Sequence, residues 1–163
     1  MRRMYGVEMQ APVGKLPGFY AQVIHKIGDN VNVFDRDQQL LIVESEEQRA
    51  KLTEILEKAK MLGETFELLL LPVESEFQDI TDFGFTSQDG NPYLYADHVS
   101  VFRLNAGTEE DRWAALEQMK EHVLVSIPSS DGSPTLIIDK NEKELMEGIA
   151  RAYRVSMQWV DLD

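Results

Sequence analysis

The chain has 163 residues, 43% of them apolar, no cysteine, and a formal net charge of −13. Its length and apolar content exclude global disorder, and the lack of cysteine excludes disulfides, thiolate metal sites and cysteine nucleophiles. A chain this acidic repels phosphate backbones and anionic lipid, so neither nucleic acid nor a membrane surface is expected as its partner.

Tyr5–Gln10 reads as a short strand. Pro17-Gly18 then precedes Phe19, Val23, Ile24 and Ile27, whose spacing predicts a short helix with Pro17 near its first turn and Gly28 ending it. A strand over Tyr20–Lys26 is the competing reading. Val31–Phe34 and Leu40–Val43 are apolar runs around Asp35-Arg36-Asp37, which predicts a hairpin with those three residues as its turn.

The next helix is the best marked. Ser45 and Gln48 form a capping-box pair, and Leu52, Ile55, Leu56, Ala59 and Leu62 form one apolar stripe. Glu47–Lys51 and Glu54–Lys58 support its outer face at i, i+4, and Gly63 is the expected stop. Phe66–Leu71 follows as a buried strand ended by Pro72.

The second half repeats this order. Val99–Leu104 alternates as a strand, and Thr108 caps a helix with Glu109, Glu110 and Asp111 in its first turn. Trp113, Leu116 and Met119 are expected on its inner side. Val123–Ile127 and Thr135–Asp139 are strands around a turn-rich stretch. Asn141, with Glu144 three residues on, is read as the cap of a helix that turns Leu145, Ile149 and Ala152 inward. Val155–Trp159 alternates as a final strand.

Each half therefore reads β-α-β-β-α-β, the order of the ferredoxin-like split βαβ unit. The expected fold is α+β with two tandem halves and antiparallel sheets, residues 1–73 and 93–163, joined by an acidic linker and hairpin over 74–92. A single α+β domain with one large antiparallel sheet is the alternative. Glu8 and Gln10 interrupt any signal-peptide core, and no run of about 18 apolar residues follows, so a cytoplasmic location is expected.

Charge is unevenly spread: residues 1–43 are net +1, whereas 44–82 and 83–163 are each net −7. From Met61 to Phe102 there is no lysine or arginine, and eight acids: Glu64, Glu67, Glu74, Glu76, Asp79, Asp82, Asp89 and Asp97. Asp89-Gly90 predicts a two-residue type I′ hairpin. That pairing puts Phe83, Phe85, Leu94 and Ala96 on one face, and Gly84, Thr86, Tyr93 and Tyr95 on the other. One face packs inward, and the other shows its rings beside unpaired carboxylates. Rings supply rigid contact area and carboxylates steer a cationic partner. The candidate partner-binding residues are Glu74, Glu76, Asp79, Asp82, Phe83, Phe85, Asp89, Tyr93, Tyr95 and Asp97. A solvated linker with its rings buried is the plain structural alternative.

Other motifs fall away on chemical grounds. Asp82-Phe83-Gly84 lacks every companion of the kinase metal-binding triplet, and Asp89-Gly90-Asn91 lacks the ligand spacing of a calcium loop. His25 and His122 are expected near helix ends. Asp97 and His98, read as strand neighbours, point to opposite faces. Glu74 and Glu76 at i, i+2 are too common a pairing to name a hydrolase. Single-strand RNA readers on ferredoxin-like sheets place basic residues beside their aromatics, and this neighbourhood is acidic. No catalytic residue, metal or cofactor is expected. The sequence favours a non-enzymatic module that docks a basic protein, as an inhibitor or immunity-type protein does. A small-molecule sensor or enzyme with a cleft between the halves is one alternative, and a structural or oligomerisation domain is the other.

Overall fold

Leucine-, isoleucine- and valine-rich runs form strands, and the amphipathic stretches between them form helices. In the computed structural model, which describes residues 1–162, the order is β1 (Arg2–Met9), α1 (Pro17–Asn30), β2 (Asp35–Asp37), β3 (Leu40–Val43), α2 (Glu46–Lys58), β4 (Leu62–Leu70), β5 (Gly84–Thr86) and β6 (Pro92–Tyr95). It continues with β7 (Val99–Ala106), α3 (Glu109–Met119), β8 (Val123–Ile127), β9 (Thr135–Asp139), α4 (Lys143–Ala152) and β10 (Ser156–Val160). The protein is thus α+β. A six-stranded sheet runs β2-β3-β1-β4-β6-β5 and a four-stranded sheet runs β10-β7-β9-β8. β1 lies antiparallel between β3 and β4, and β7 lies antiparallel between β9 and β10.

The chain divides into two compact units. One, the N-terminal unit, comprises Arg2–Leu70 with Thr86–Tyr93; the other, the C-terminal unit, comprises Met1, Leu71–Phe85 and Leu94–Asp163. In the N-terminal unit, Tyr5, Val7 and Met9 of β1 pack with Val23 and Ile27 of α1 and Leu52, Ile55 and Leu56 of α2. Leu52 and Leu56 are wholly buried, each worth about 1.5–3 kcal/mol relative to exposure. In the C-terminal unit, Phe102 and Leu104 of β7, Leu136 and Ile138 of β9, Ala115 and Met119 of α3, and Met146 and Ala150 of α4 form the core. Phe102 meets Trp159 edge-on at 5.3 Å.

Several local expectations are corrected. Gly28 does not end α1, which runs to Asn30 before Val31 turns extended. Asp35–Asp37 is strand rather than turn: it pairs with Leu40–Ile42, and Gln38 takes the positive φ of 53°. The Ser45 hydroxyl accepts the Gln48 amide, as expected of a cap. The return bond is absent, because the Gln48 side-chain oxygen accepts from the Asn32 N–H at 2.7 Å. α2 stops at Lys58, with Lys60 at φ 57°, so Leu62 and Gly63 belong to β4.

In the C-terminal unit Thr108 caps α3 as read, accepting from the Asp111 N–H at 3.0 Å. Of the expected inner side of α3, Met119 is buried and Leu116 packs against the core, and only Trp113 departs. The inner face of α4 is rotated, with Ile149 packed against the core but Ala152 exposed. Ala115 and Met119 are buried while Trp113 stands 65% exposed, and Met146 and Ala150 are buried while Leu145 faces water. Asn141 caps nothing. It lies in a 3₁₀ turn, Lys140–Glu142, where the Asp139 carboxylate accepts its backbone N–H, and α4 begins only at Lys143.

Candidate functional site

After β4 the chain reaches Val73 and Glu74 on the surface, in a turn where the Ser75 N–H donates to the Pro72 carbonyl at 3.1 Å. Glu76 and Ser126 of β8 then exchange two backbone hydrogen bonds, 2.8 and 2.9 Å. Only Glu76 of the Glu74/Glu76 pair is therefore held on a sheet, and the two do not form a strand pair. The Asp79 carboxylate accepts from both the hydroxyl and the backbone N–H of Thr81. Those bonds hold the carboxyl below its ordinary value, the hydroxyl contributing most. Asp82 is exposed in the turn closed by Phe83 N–H to the Ile80 carbonyl.

The hairpin differs from its expected form. Ser87 N–H donates to Asn91 and Gly90 N–H to Ser87, both at 2.9 Å, and of Asp89 and Gly90 only the glycine has positive φ, 89°. The turn is longer than a two-residue type I′ turn and the pairing moves by one residue. A shift of one exchanges faces. Phe85 and Tyr95, expected on opposite faces, meet ring to ring at 5.9 Å, and Tyr95 contacts the His98 ring at 5.4 Å. Tyr93, expected in a row of tyrosines on one face with Tyr95, is wholly buried.

Tyr93 is buried for a polar reason. Its hydroxyl donates to Asp35 at 2.7 Å, and the Asn91 side-chain amide donates to the same carboxylate oxygen at 3.0 Å. The Arg36 backbone N–H donates to the other oxygen at 2.7 Å. Burial pushes the Asp35 carboxyl up, but the bonds from Asn91, Ser87, Tyr93 and Arg36 outweigh it and leave the group below its ordinary value. Desolvation and the Asp35 carboxylate together push the Tyr93 phenol far up. This cluster pins the loop Ser87–Asn91 to β2 within the N-terminal unit, and its role is structural.

Of the ten candidate residues, Asp89 and Tyr93 fall in the N-terminal unit and the other eight in the C-terminal unit. All six carboxylates, Glu74, Glu76, Asp79, Asp82, Asp89 and Asp97, are exposed. Among the described residues none of the six is ion-paired with lysine or arginine. Phe83, Phe85 and Tyr95 are partly buried. Asp97 and His98 lie in a 3₁₀ turn rather than a strand, so they sit on one side, 3.7 Å apart. His25 is inside α1, 3.2 Å from Asp29, and His122 follows α3, 3.4 Å from Glu142. Among the described residues no cluster of three or more histidine and carboxylate side chains is placed to hold a metal ion.

Sequence reasoning missed a groove in the C-terminal unit. About 910 Å³ in volume, it lies between the segment Ser75–Asp79, the end of α3, and β8. Leu116, Val123, Leu124 and Leu136 supply apolar lining, and Glu76, Asp79, Glu117 and Glu121 supply carboxylates. Lys120, the basic residue among the lining, donates to Glu117 at 2.8 Å. The signal lay in Trp113, Leu116, Glu117 and Lys120, which follow one helix stripe at i, i+3, i+4, i+7. Ala115 and Met119 are buried and Leu116 packs against the same core, so the groove side of α3 begins at the edge of the core, and only packing decides that Trp113 stays outside it.

Charge separates the units as well. The C-terminal unit holds 17 acidic and seven basic side chains, net −10, and the N-terminal unit twelve and nine, net −3. No protein-family model and no curated protein sequence matches the chain.

Proposed function

We propose that this chain is a non-enzymatic binding protein that docks a basic protein partner, in the manner of an inhibitor or immunity-type protein. One observation carries the reading: six carboxylates from Glu74 to Asp97 stand exposed and, among the described residues, none is ion-paired with lysine or arginine. Exposed acids without internal counterions leave their field in solvent, where it accelerates encounter with a cationic surface. The C-terminal unit supplies the docking body, since it carries most of the excess charge. The finer architecture belongs to the same proposal. Two ferredoxin-like copies are supported by the repeated order β-α-β-β-α-β and by the matching positions of β1 and β7 in their sheets. A cytoplasmic site of action accords with the absence of cysteine. Among the described residues no helix is long and apolar enough to cross a membrane.

The test is capture of partners by the immobilised protein at 50 mM and 500 mM NaCl, beside a variant with Glu74→Gln, Asp82→Asn and Asp97→Asn. The expected result is a cationic protein retained at low salt, released at high salt, and held at least tenfold less tightly by the variant. A partner held equally at both salt concentrations and equally by the variant would overturn the reading.

A further inference from the structure

We infer that the groove between Ser75–Asp79 and α3 is a peptide-binding groove for a segment that alternates cationic and apolar side chains. The inference rests on the basic-partner reading and places one anchoring segment of that partner, while Glu74, Asp82 and Asp97 lie outside the groove and meet the rest of it. Leu116, Val123, Leu124 and Leu136 supply an apolar floor, and Glu76, Asp79, Glu117 and Glu121 surround it with four carboxylates against one ammonium. That ammonium, on Lys120, is bound by Glu117 and lies in the field of Glu121, so four carboxylates against one ammonium leave the lining at net −3 toward an incoming chain. An apolar floor rejects a purely polar polycation, and an acidic rim rejects a neutral or anionic peptide.

Two exposed rings extend the surface. Phe77 lines the groove and is 36% exposed, and Trp113 stands one helical turn before Leu116 and Glu117. A tryptophan on a rigid helix beside an apolar groove is the side-chain type that dominates interface energies. β8 is the end strand of its sheet and is bridged on its outer side by Glu76 opposite Ser126. Both walls of the groove are thus held by backbone hydrogen bonds before any partner arrives, which lowers the ordering cost of binding.

The probe is a fluorescein-labelled decapeptide of alternating lysine and leucine, titrated by anisotropy, with Trp113 emission read in parallel against Trp113→Phe. Comparison peptides alternate glutamate with leucine and lysine with serine. We expect the lysine–leucine peptide to bind with a Kd that weakens at least tenfold between 50 and 500 mM NaCl and to shift Trp113 emission. The comparison peptides should bind at least tenfold more weakly. Glu76→Lys with Glu121→Lys should abolish binding, as should Phe77→Ala in part, with circular dichroism unchanged.

Asp82→Asn with Asp97→Asn, outside the groove, should leave the Kd of the decapeptide within twofold, because a segment of that length fills only the groove, while the same changes weaken binding of the whole basic partner. Loss of binding in that outer pair with retention in the groove variants would overturn the groove while leaving the basic-partner reading standing. Equal binding of the lysine–serine peptide, or full displacement by spermine at matched charge, would overturn the apolar-anchor requirement and with it the inference. No salt-sensitive binding of any cationic probe would remove both readings together.

Discussion

Asp35 shows how one side chain sets a local structure. A buried carboxylate is tolerated only when donors surround it, and here Tyr93, Asn91 and the Arg36 backbone all point at it. Asp35→Asn replaces one acceptor oxygen with a donor facing donors, so a loss of about 1–3 kcal/mol is expected in urea unfolding at pH 7. The pH dependence follows from the direction of the shift. Asp35 binds its proton more weakly folded than unfolded, so its contribution is full above the ordinary value of 3.8 and drains away as pH falls through the lower folded value. The wild-type protein should therefore lose more stability than Asp35→Asn between pH 5 and pH 2. Equal acid slopes in the two proteins would show that Asp35 is not the group responsible.

Legibility at this scale was mixed. All six candidate carboxylates lie on the surface because the cost of burying an unpaired charge keeps them there. Tyr93 was not legible, since its burial depends on a hydroxyl finding a carboxylate far away in sequence.

Among the elements, caps and strands were the most readable features. Ser45 and Thr108 cap their helices because a side-chain oxygen reaches a first-turn amide within three residues. Helix ends and inward faces were less readable. Gly28 lies inside α1, where an added Cβ meets nothing within 4 Å, whereas Gly107 sits at φ 125° with its would-be Cβ 2.7 Å from Val155 Cγ1. Gly28→Ala should stabilise the protein by about 0.5–1 kcal/mol through helix propensity. Gly107→Ala should destabilise it by more than about 1 kcal/mol through backbone strain and the Val155 contact. Thermal melts of the two single variants check this, and shifts in the same direction would refute the assigned backbone roles. Trp113 and Ala115 were indistinguishable in sequence because α3 carries apolar residues on more than one side. The core chose the smaller side chain, and the tryptophan was left outward beside the groove.

For the whole molecule, the unequal charge of the units makes a separate prediction. Like charges at net −10 oppose the compaction of the C-terminal unit more than net −3 opposes the N-terminal unit. Raising NaCl from 20 to 300 mM shortens the Debye length from roughly 20 to 6 Å and screens this repulsion. Amide hydrogen exchange should slow more in β7, α3 and β9 than in β1 and α2. A larger effect in the N-terminal unit would contradict this account.

Composition, most strand runs, the Ser45 and Thr108 caps and the cation-free acidic stretch needed no coordinates, because each depends on residue type or on neighbours within a few positions, whereas Asn141, read the same way, caps nothing. The hairpin register, the outward side of Trp113, the inner face of α4, the Asp35–Tyr93 bond and the groove were decided only by tertiary structure. They depend on which of several equally regular apolar stripes finds a partner across the core, and that choice is made by packing between residues distant in the chain.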